Sequence, residues 1–290
     1  MLQGRVSGRR INHDVVYGPH HSVFADGIAF IRGNFMKVLL LQGPVGGFFR
    51  YLDGHLARAG FTVRRIVFNG GDVAFALGAD FEIARLAGTT YEAYFEKLLD
   101  DWRPDAIVLF GDERPIHRAA VKLARAKRIA IWCFEEGYVR PDHITFEKWG
   151  NNANSRLMRT FDPERTSDSL PQAPRLSGQT FAMIRAAFVY FIAYRTTRVA
   201  FRGYVHHRER RLRDEFFFWW RTLLRRSTAA RGDAGLLERL TSGTYGRFFL
   251  VALQIHDDLQ LTSHGRGCRT RPFVQMWLAS FVRAAPAHCR

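Results

Sequence analysis

The chain has 290 residues, of which 47% are hydrophobic, and a formal net charge of +16. This length holds one large domain or two of ordinary size, with enough apolar content for a substantial core. The longest uncharged apolar stretch, Ala186 to Tyr194, has nine residues. A bilayer-spanning helix needs roughly 20, so no such segment is expected.

Charge is unevenly placed. Residues 1–150 hold 20 basic and 17 acidic side chains, residues 151–290 hold 23 and 10, and 38 of the 43 bases are arginine. The planar arginine fork suits phosphate, carboxylate and anionic lipid, so an acidic partner is expected for the second half. Cys133, Cys268 and Cys289 lack metal-ligand spacing, and Cys133 falls in an expected buried strand, which suggests a reducing compartment. No compact apolar block resembling a secretory signal stands in the first 35 residues, so a cytoplasmic protein is expected.

Residues 1–35 lack sustained periodicity and read as a poorly ordered extension, with Met36 as a candidate natural start. From there strands and helices alternate. An expected strand at 37–42 leads through Gly43-Pro44-Val45-Gly46-Gly47 into a helix near 48–59, stopped by Gly60. A strand at 61–68 ends in Asn69-Gly70-Gly71-Asp72. A helix at 90–102 starts at the capping-box pair Thr89 and Glu92 and stops before Pro104. Strand 105–110 precedes Gly111-Asp112-Glu113-Arg114 and a helix with Pro115 in its first turn. Strand 129–134 runs into Glu135-Glu136-Gly137-Tyr138-Val139-Arg140-Pro141. This alternation predicts an α/β fold with a doubly wound, Rossmann-like parallel sheet over residues 36–160.

Residues 151–180 are rich in Asn, Ser, Pro and Arg and read as a linker; 181–226 are aromatic and basic. Together they place a linker and basic aromatic helices over 161–240. Those helices fit two settings, packed on the sheet domain or lying at an anionic membrane surface. A strand at 248–255 and a helix near 272–284, with Phe273, Trp277 and Phe281 in register, predict a second α/β unit over 241–290.

In open α/β sheets ligands bind beyond the carboxyl ends of the strands, and three loops with chemistry fall there. Gln42, Gly43 and Gly46 lie between a strand and a helix start that favours an anion. The loop is not a Walker A, and Phe49 breaks the dinucleotide spacing, so a plain tight turn explains it equally well. The second loop gathers Asp112, Arg114, His117 and Arg118; the third brings Glu135, Glu136 and Arg140. Carboxylates there can act as a base and arginines can grip an anion. His256 and Asp257 end the later strand. No metal motif, nucleophile elbow or nucleic-acid signature is present.

At these loops the chain resembles the capsule polysaccharide biosynthesis and export family, KpsS/LipB type. The matching stretches are Leu39–Gly46, Phe68–Asp72, Val108–Arg118, Phe134–Asp142 and Phe249–Asp258. The resemblance implies a two-domain glycosyltransferase of the GT-B type, peripheral to the bacterial inner membrane. It would use CMP-Kdo as donor and an anionic, phosphatidylglycerol-type lipid as acceptor, within a capsule assembly and export complex and with no metal. Glu136 is then the first choice for catalytic base, followed by Glu135 and Asp112, with His117 nearby. Gln42, Gly43, Gly46, Asn69, Asp72, Arg114, Arg118, Arg140, His256 and Asp257 are the expected substrate contacts. Three departures stand out, the first being the insertion-like Thr262–Thr270 region, which fits the family pattern poorly. Asp257 occupies an expected asparagine position, and the chain stops before the family's His-His-Pro-type loop, so a truncated donor domain and an inactive enzyme are one expectation. A noncatalytic export component on the membrane is the alternative.

Overall fold

The computed structural model describes residues 15–17, 37–136, 143–156 and 179–206, then 217, 220–222, 224–225, 228, 235–243, 246, 249–253, 261, 264–265, 267 and 269–284. The chain divides into two compact units, residues 1–205 and 206–290. The dividing point falls inside the stretch expected to be linker and helices.

The first unit is built on seven strands: β1 (Val15–Tyr17), β2 (Lys37–Leu40), β3 (Thr62–Val67), β4 (Glu82–Ile83), β5 (Ala106–Phe110), β6 (Ala130–Glu136) and β7 (His143–Lys148). Their order is β1-β7-β6-β5-β2-β3-β4. The five strands from β4 to β6 run parallel; β7 and β1 extend the edge antiparallel. Part of the expected extension therefore supplies a short edge strand.

The central strand β5, Ala-Ile-Val-Leu-Phe, is buried along its whole length because both faces of the sheet are covered. On one face Val38, Leu40, Trp132 and Phe134 pack with Phe49, Leu52 and Leu56 of α1 (Phe48–Arg58). On the other, Leu39, Ile107, Leu109 and Ile131 pack with Phe95 and Leu99 of α3 (Tyr91–Trp102) and Ile116 and Ala120 of α4 (Pro115–Ala126). Crossovers from β2 to β3 and from β5 to β6 run in opposite directions, and right-handed connections then place their helices on opposite faces. The doubly wound α/β expectation holds for this unit.

Most boundaries follow local chemistry. Gly60, at φ +93°, follows the end of α1, where a left-handed conformation costs a side chain dearly. The cap of α3 is Thr90, one residue after the expected Thr89; its hydroxyl oxygen accepts the Ala93 N–H at 3.2 Å. A larger correction concerns β6. It does not stop at Phe134 but carries Glu135 and Glu136 into pairing with Thr145 and Ile144 of β7, a strand the sequence pattern did not reveal.

After β3 comes the short helix α2 (Gly70–Ala74), and against it packs α5 (Gln179–Thr196). Of the aromatic segment, α5 packs on the sheet unit, while residues 207–216 lie outside the described residues. The contact requires two glycines. A Cβ on Gly70 would lie 1.9 Å from Thr197 Oγ1 and 2.6 Å from the Ala193 carbonyl; one on Gly71 would lie 2.6 Å from the Tyr190 ring. The face of α5 turned away from this contact leaves Phe181, Phe188 and Ile192 exposed, with Arg185 and Arg195 among them.

In the second unit, residues 235–241 are helical and α6 (Thr270–Ala284) matches the expected final helix. Trp277 stacks on Phe281, which meets Phe249 edge-on. Residues 249–253, expected in a strand, have no strand pairing, and 254 and 255 lie outside the described residues.

Gly71→Ala should loosen α5 and cost about 1–3 kcal/mol, the usual range for overpacking a close contact. Chemical denaturation and limited proteolysis within 179–206 would read this. An unchanged midpoint and cleavage pattern would count against the glycine contact.

Candidate functional site

Strand order reverses between the parallel neighbours β2 and β5, which opens a crevice at their carboxyl ends, the place where doubly wound sheets bind ligands. Arg114 spans that crevice. It caps the start of α4, and its Nη1 donates to Gln42 Oε1 at 3.0 Å and to the Gly43 carbonyl at 2.9 Å. The guanidinium also lies 5.7 Å from the centre of the Phe110 ring. Loops after β2 and β5 are thereby tied by one cation.

Gln42 is almost fully buried. Its Nε2 donates to Asp72 Oδ2 at 2.9 Å and reaches Tyr204 Oη at 2.8 Å. Asp72 also accepts from the Phe68 N–H and from Asn69 Nδ2, each at 3.0 Å, and from Tyr190 Oη at 3.3 Å. Burial pushes the Asp72 carboxyl above its ordinary range, opposed by the Phe68 and Gln42 hydrogen bonds and the Arg114 charge. Burial likewise raises the Tyr190 and Tyr204 hydroxyls, so both stay neutral donors. Gln42, Asn69 and Asp72 were expected to touch substrate. The structure joins all three by hydrogen bonds, and Gln42 links them to Arg114.

Asp112 is 3% exposed and held by a turn absent from the sequence-based expectations. Asn154 Nδ2 donates to its Oδ2 at 2.9 Å and to Glu113 Oε1 at 2.8 Å. A Cβ on Gly150 would stand 2.8 Å from Asp112 Oδ2. Burial raises the Asp112 carboxyl. It forms a buried polar floor to the crevice.

The two glutamates separate. Successive strand residues point to opposite faces, so Glu136 shares the face of Phe134 and Trp132, and Glu135 that of Cys133 and Leu109. Glu136 is exposed, whereas Glu135 is half-buried beside the loop after β5. A Cβ on Gly111 would lie 3.2 Å from Glu135 Oε2 and 3.8 Å from Arg114 Nε; Gly111 adopts φ +71° at this spot. Burial raises the Glu135 carboxyl, with Arg114 opposing and the Glu136 and Asp112 charges reinforcing. The two expected carboxylates thus leave the strand on opposite faces, and Glu135 is the one beside the arginine.

His117 is also displaced from its expected role. It is fully buried, with Nδ1 at 2.6 Å from the Gly111 carbonyl oxygen. Burial and the Arg114 charge lower its pKa to about 3. A neutral imidazole there fixes the Gly111 turn and cannot meet a ligand on the rim. Arg118 is exposed on α4. Gly46 adopts φ +116° with open space where a Cβ would project, while Gly43 sits against the Phe49 ring. Arg140, His256 and Asp257 lie outside the described residues.

The residues that sequence reasoning missed are Tyr190, Tyr204 and Asn154. The two tyrosines were hidden in a segment where aromatics are abundant. Asn154 had only the Asn-rich turn to mark it. Among the described residues no group of three or more His, Cys, Asp or Glu side chains is placed to hold a metal ion.

Residues 105–290 match the family described as capsule polysaccharide biosynthesis protein. The chain is 34% identical over 265 residues to the capsule polysaccharide modification protein LipB of Neisseria meningitidis serogroup A, covering 87% of this chain and 62% of that protein. It is 32% identical over 252 residues to the capsule polysaccharide export protein KpsS of Escherichia coli, covering 86% and 65%. The chain thus spans less than two thirds of the length of either relative. A solved structure, ureidoglycine-glyoxylate aminotransferase from Bacillus subtilis, aligns at 10% identity with a TM-score of 0.29 over 47% of this chain and 39% of its own, too little to carry an argument. On the family match and the two relatives together, the chain belongs to the capsule polysaccharide biosynthesis family.

Proposed function

We propose that this chain is a glycosyltransferase of capsule assembly, of the GT-B type, that moves Kdo from CMP-Kdo to a phosphatidylglycerol-type lipid. The observation that carries the reading is Arg114, fixed across the β2/β5 crevice with the Glu135 carboxyl beside it. Relatives named for capsule modification and export support the setting.

In this reading an acceptor hydroxyl attacks the anomeric carbon of Kdo. Its proton passes to Glu135, a carbon–oxygen bond forms, and the bond to the CMP phosphate breaks with its electron pair leaving on that phosphate. Arg114 supplies positive charge for the anionic sugar or departing phosphate, held in place by Gln42 and Gly43. His256 and Asp257, expected among the substrate contacts, fall within residues 206–290, the second unit. No metal is required by this scheme, because a guanidinium and helix starts can meet the developing charge.

The outward face of α5 suits a lipid acceptor. Phe181, Phe188 and Ile192 recur at helical spacing with Arg185 and Arg195 among them, so apolar groups and cations share one side. Such a face lies at an anionic bilayer surface without crossing it. Among the described residues no helix is long and apolar enough to span a membrane. The same face favours a second reading, a noncatalytic, membrane-associated component of the export machinery.

Two measurements separate these readings. With radiolabelled CMP-Kdo and phosphatidylglycerol vesicles, Glu135→Gln should lower transfer by about 10²–10⁴-fold, the usual yield of a positioned base. A base must be ionised, so raising the Glu135 carboxyl moves the acid limb of transfer to higher pH than an ordinary glutamate gives. Transfer that survives Glu135→Gln, with the same acid limb, would remove Glu135 as the base. In flotation, vesicles rich in phosphatidylglycerol should retain the chain more than phosphatidylcholine vesicles do, and Phe188→Glu should abolish the difference. Flotation without transfer would select the noncatalytic reading, and equal partition would end the membrane assignment.

A further inference from the structure

We infer that His117 is a positioning residue of the crevice: it holds the Gly111 turn, and that turn sets how the Glu135 carboxylate stands to the Arg114 guanidinium. The inference deepens the transferase reading and rests on it for the role of Glu135 as base. The arrangement itself can be measured without turnover.

Gly111 is bonded on both sides of its Cα. Its N–H donates to the Phe134 carbonyl at 2.8 Å, one residue before Glu135 on β6. Its carbonyl oxygen meets His117 Nδ1 at 2.6 Å. Between those bonds the backbone turns at φ +71°, a conformation that glycine adopts without steric cost. The bare Cα matters for a second reason. A Cβ there would stand 3.2 Å from Glu135 Oε2 and 3.8 Å from Arg114 Nε, so both side chains reach over the same atom. Glu135 Oε1 accepts the Glu136 N–H at 3.1 Å, which leaves Oε2 as the oxygen over the turn. The ion pairs among the described residues involve other side chains, so direct contact does not fix the spacing of Glu135 and Arg114. The turn beneath them does.

Arg114 caps α4, and His117 lies in the first turn of that helix. The Arg118 N–H bonds the Arg114 carbonyl at 2.9 Å, so helix hydrogen bonds hold the chain from Arg114 onward. His117 carries that hold back to Gly111. A carbonyl oxygen only accepts, so the imidazole proton sits on Nδ1. Nε2 then keeps a bare lone pair, buried and with no hydrogen-bond partner. Burying an unsatisfied ring nitrogen costs stability that an apolar side chain of similar shape would not. Packing therefore does not account for a histidine here, whereas the Nδ1–H does. Burial first and the Arg114 charge second lower its pKa to about 3, so the tether stays neutral while a raised glutamate titrates.

Release of the turn has a consequence of definite sign. Burial is the largest influence on the Glu135 carboxyl and raises it; the Glu136 and Asp112 charges add to this, while the Glu136 N–H and Arg114 oppose it. When the Gly111 turn loosens, water reaches Glu135 and the largest influence fades, so its titration moves to lower pH. Displacing a reacting group by about 1 Å costs on the order of 10²-fold in rate.

The test pairs two variants of the full chain: His117→Leu, which has no donor, and His117→Asn, whose amide N–H can take the place of Nδ1–H. Glutamate labelled with ¹³C at the carboxyl reports each titration by NMR, and Glu135→Gln identifies the Glu135 signal. Glu135 should titrate above the ordinary glutamate range in the unaltered chain and in His117→Asn, and lower in His117→Leu. With CMP-Kdo and phosphatidylglycerol vesicles, His117→Leu should lower kcat on the order of 10²-fold. It should leave the KM for CMP-Kdo nearly unchanged and move the acid limb to lower pH, and His117→Asn should recover most of the rate. Imidazole ¹⁵N shifts of the unaltered chain need no variant and should show Nδ1 protonated and Nε2 bare. An unmoved Glu135 titration in His117→Leu, a loss of rate with the acid limb in place, or a proton on Nε2 would overturn the inference. So would His117→Asn behaving as His117→Leu does. An unaltered chain that transfers no sugar defeats the transferase reading, while the carboxyl titration and the imidazole shifts still decide whether His117 positions Glu135.

Discussion

The Arg114 guanidinium holds the crevice together. Its two hydrogen bonds, to a side-chain oxygen and a main-chain oxygen of the loop after β2, cross the boundary between β2 and β5 where the strand order reverses. Hydrogen bonds from a charged donor contribute about 1.5–3 kcal/mol each, more than neutral ones, and here they act over a short lever. The cation that would attract an anionic ligand is thus also the tie that shapes the crevice. Replacing it with lysine would keep the charge and lose the fork that reaches two acceptors at once.

Behind that tie stands a buried polar network with few loose ends. Gln42 joins Arg114 to Asp72, Asp72 takes donors from its own turn, and Tyr190 and Tyr204 close the set from α5 and the segment after it. Such networks are stabilising only when every member is satisfied, since an unmade bond leaves a costly buried dipole. Gly70 and Gly71 permit the approach that delivers Tyr190, so two missing side chains on α2 decide whether the network is complete. A segment expected to be an accessory helix is structurally part of the site.

The two sides of the sheet end differently, and this sorts the chemistry. On the α4 side Glu135, Asp112 and Arg114 meet over the Gly111 turn, with neutral His117 beneath it. On the α1 side Glu136 lies exposed near the aromatic group of Phe134, Phe146 and Phe48, and Arg65 is sunk beside the glycine loop. Glu135, Asp112 and Arg114 therefore share one side, and Arg65 lies on the other. Nothing in the spacing Glu135-Glu136 shows this until β6 is known to continue through both.

The parallel sheet was legible in the chain itself. Continuous apolar runs such as Ala106–Phe110, helical repeats such as Phe49, Leu52 and Leu56, and stops at Gly60 and Pro104 are local physics, and local physics is written in adjacent residues. The three strand-end loops could be named for the same reason. What tertiary structure alone decided is which polar groups face each other. That choice depends on contacts between residues far apart in the chain: Gln42 with Tyr204, Asp112 with Asn154, Glu135 with the β7 hairpin. Each of these fixes the burial and partners of a polar or charged side chain, which set what it can do, and neither is a property of its neighbours in sequence.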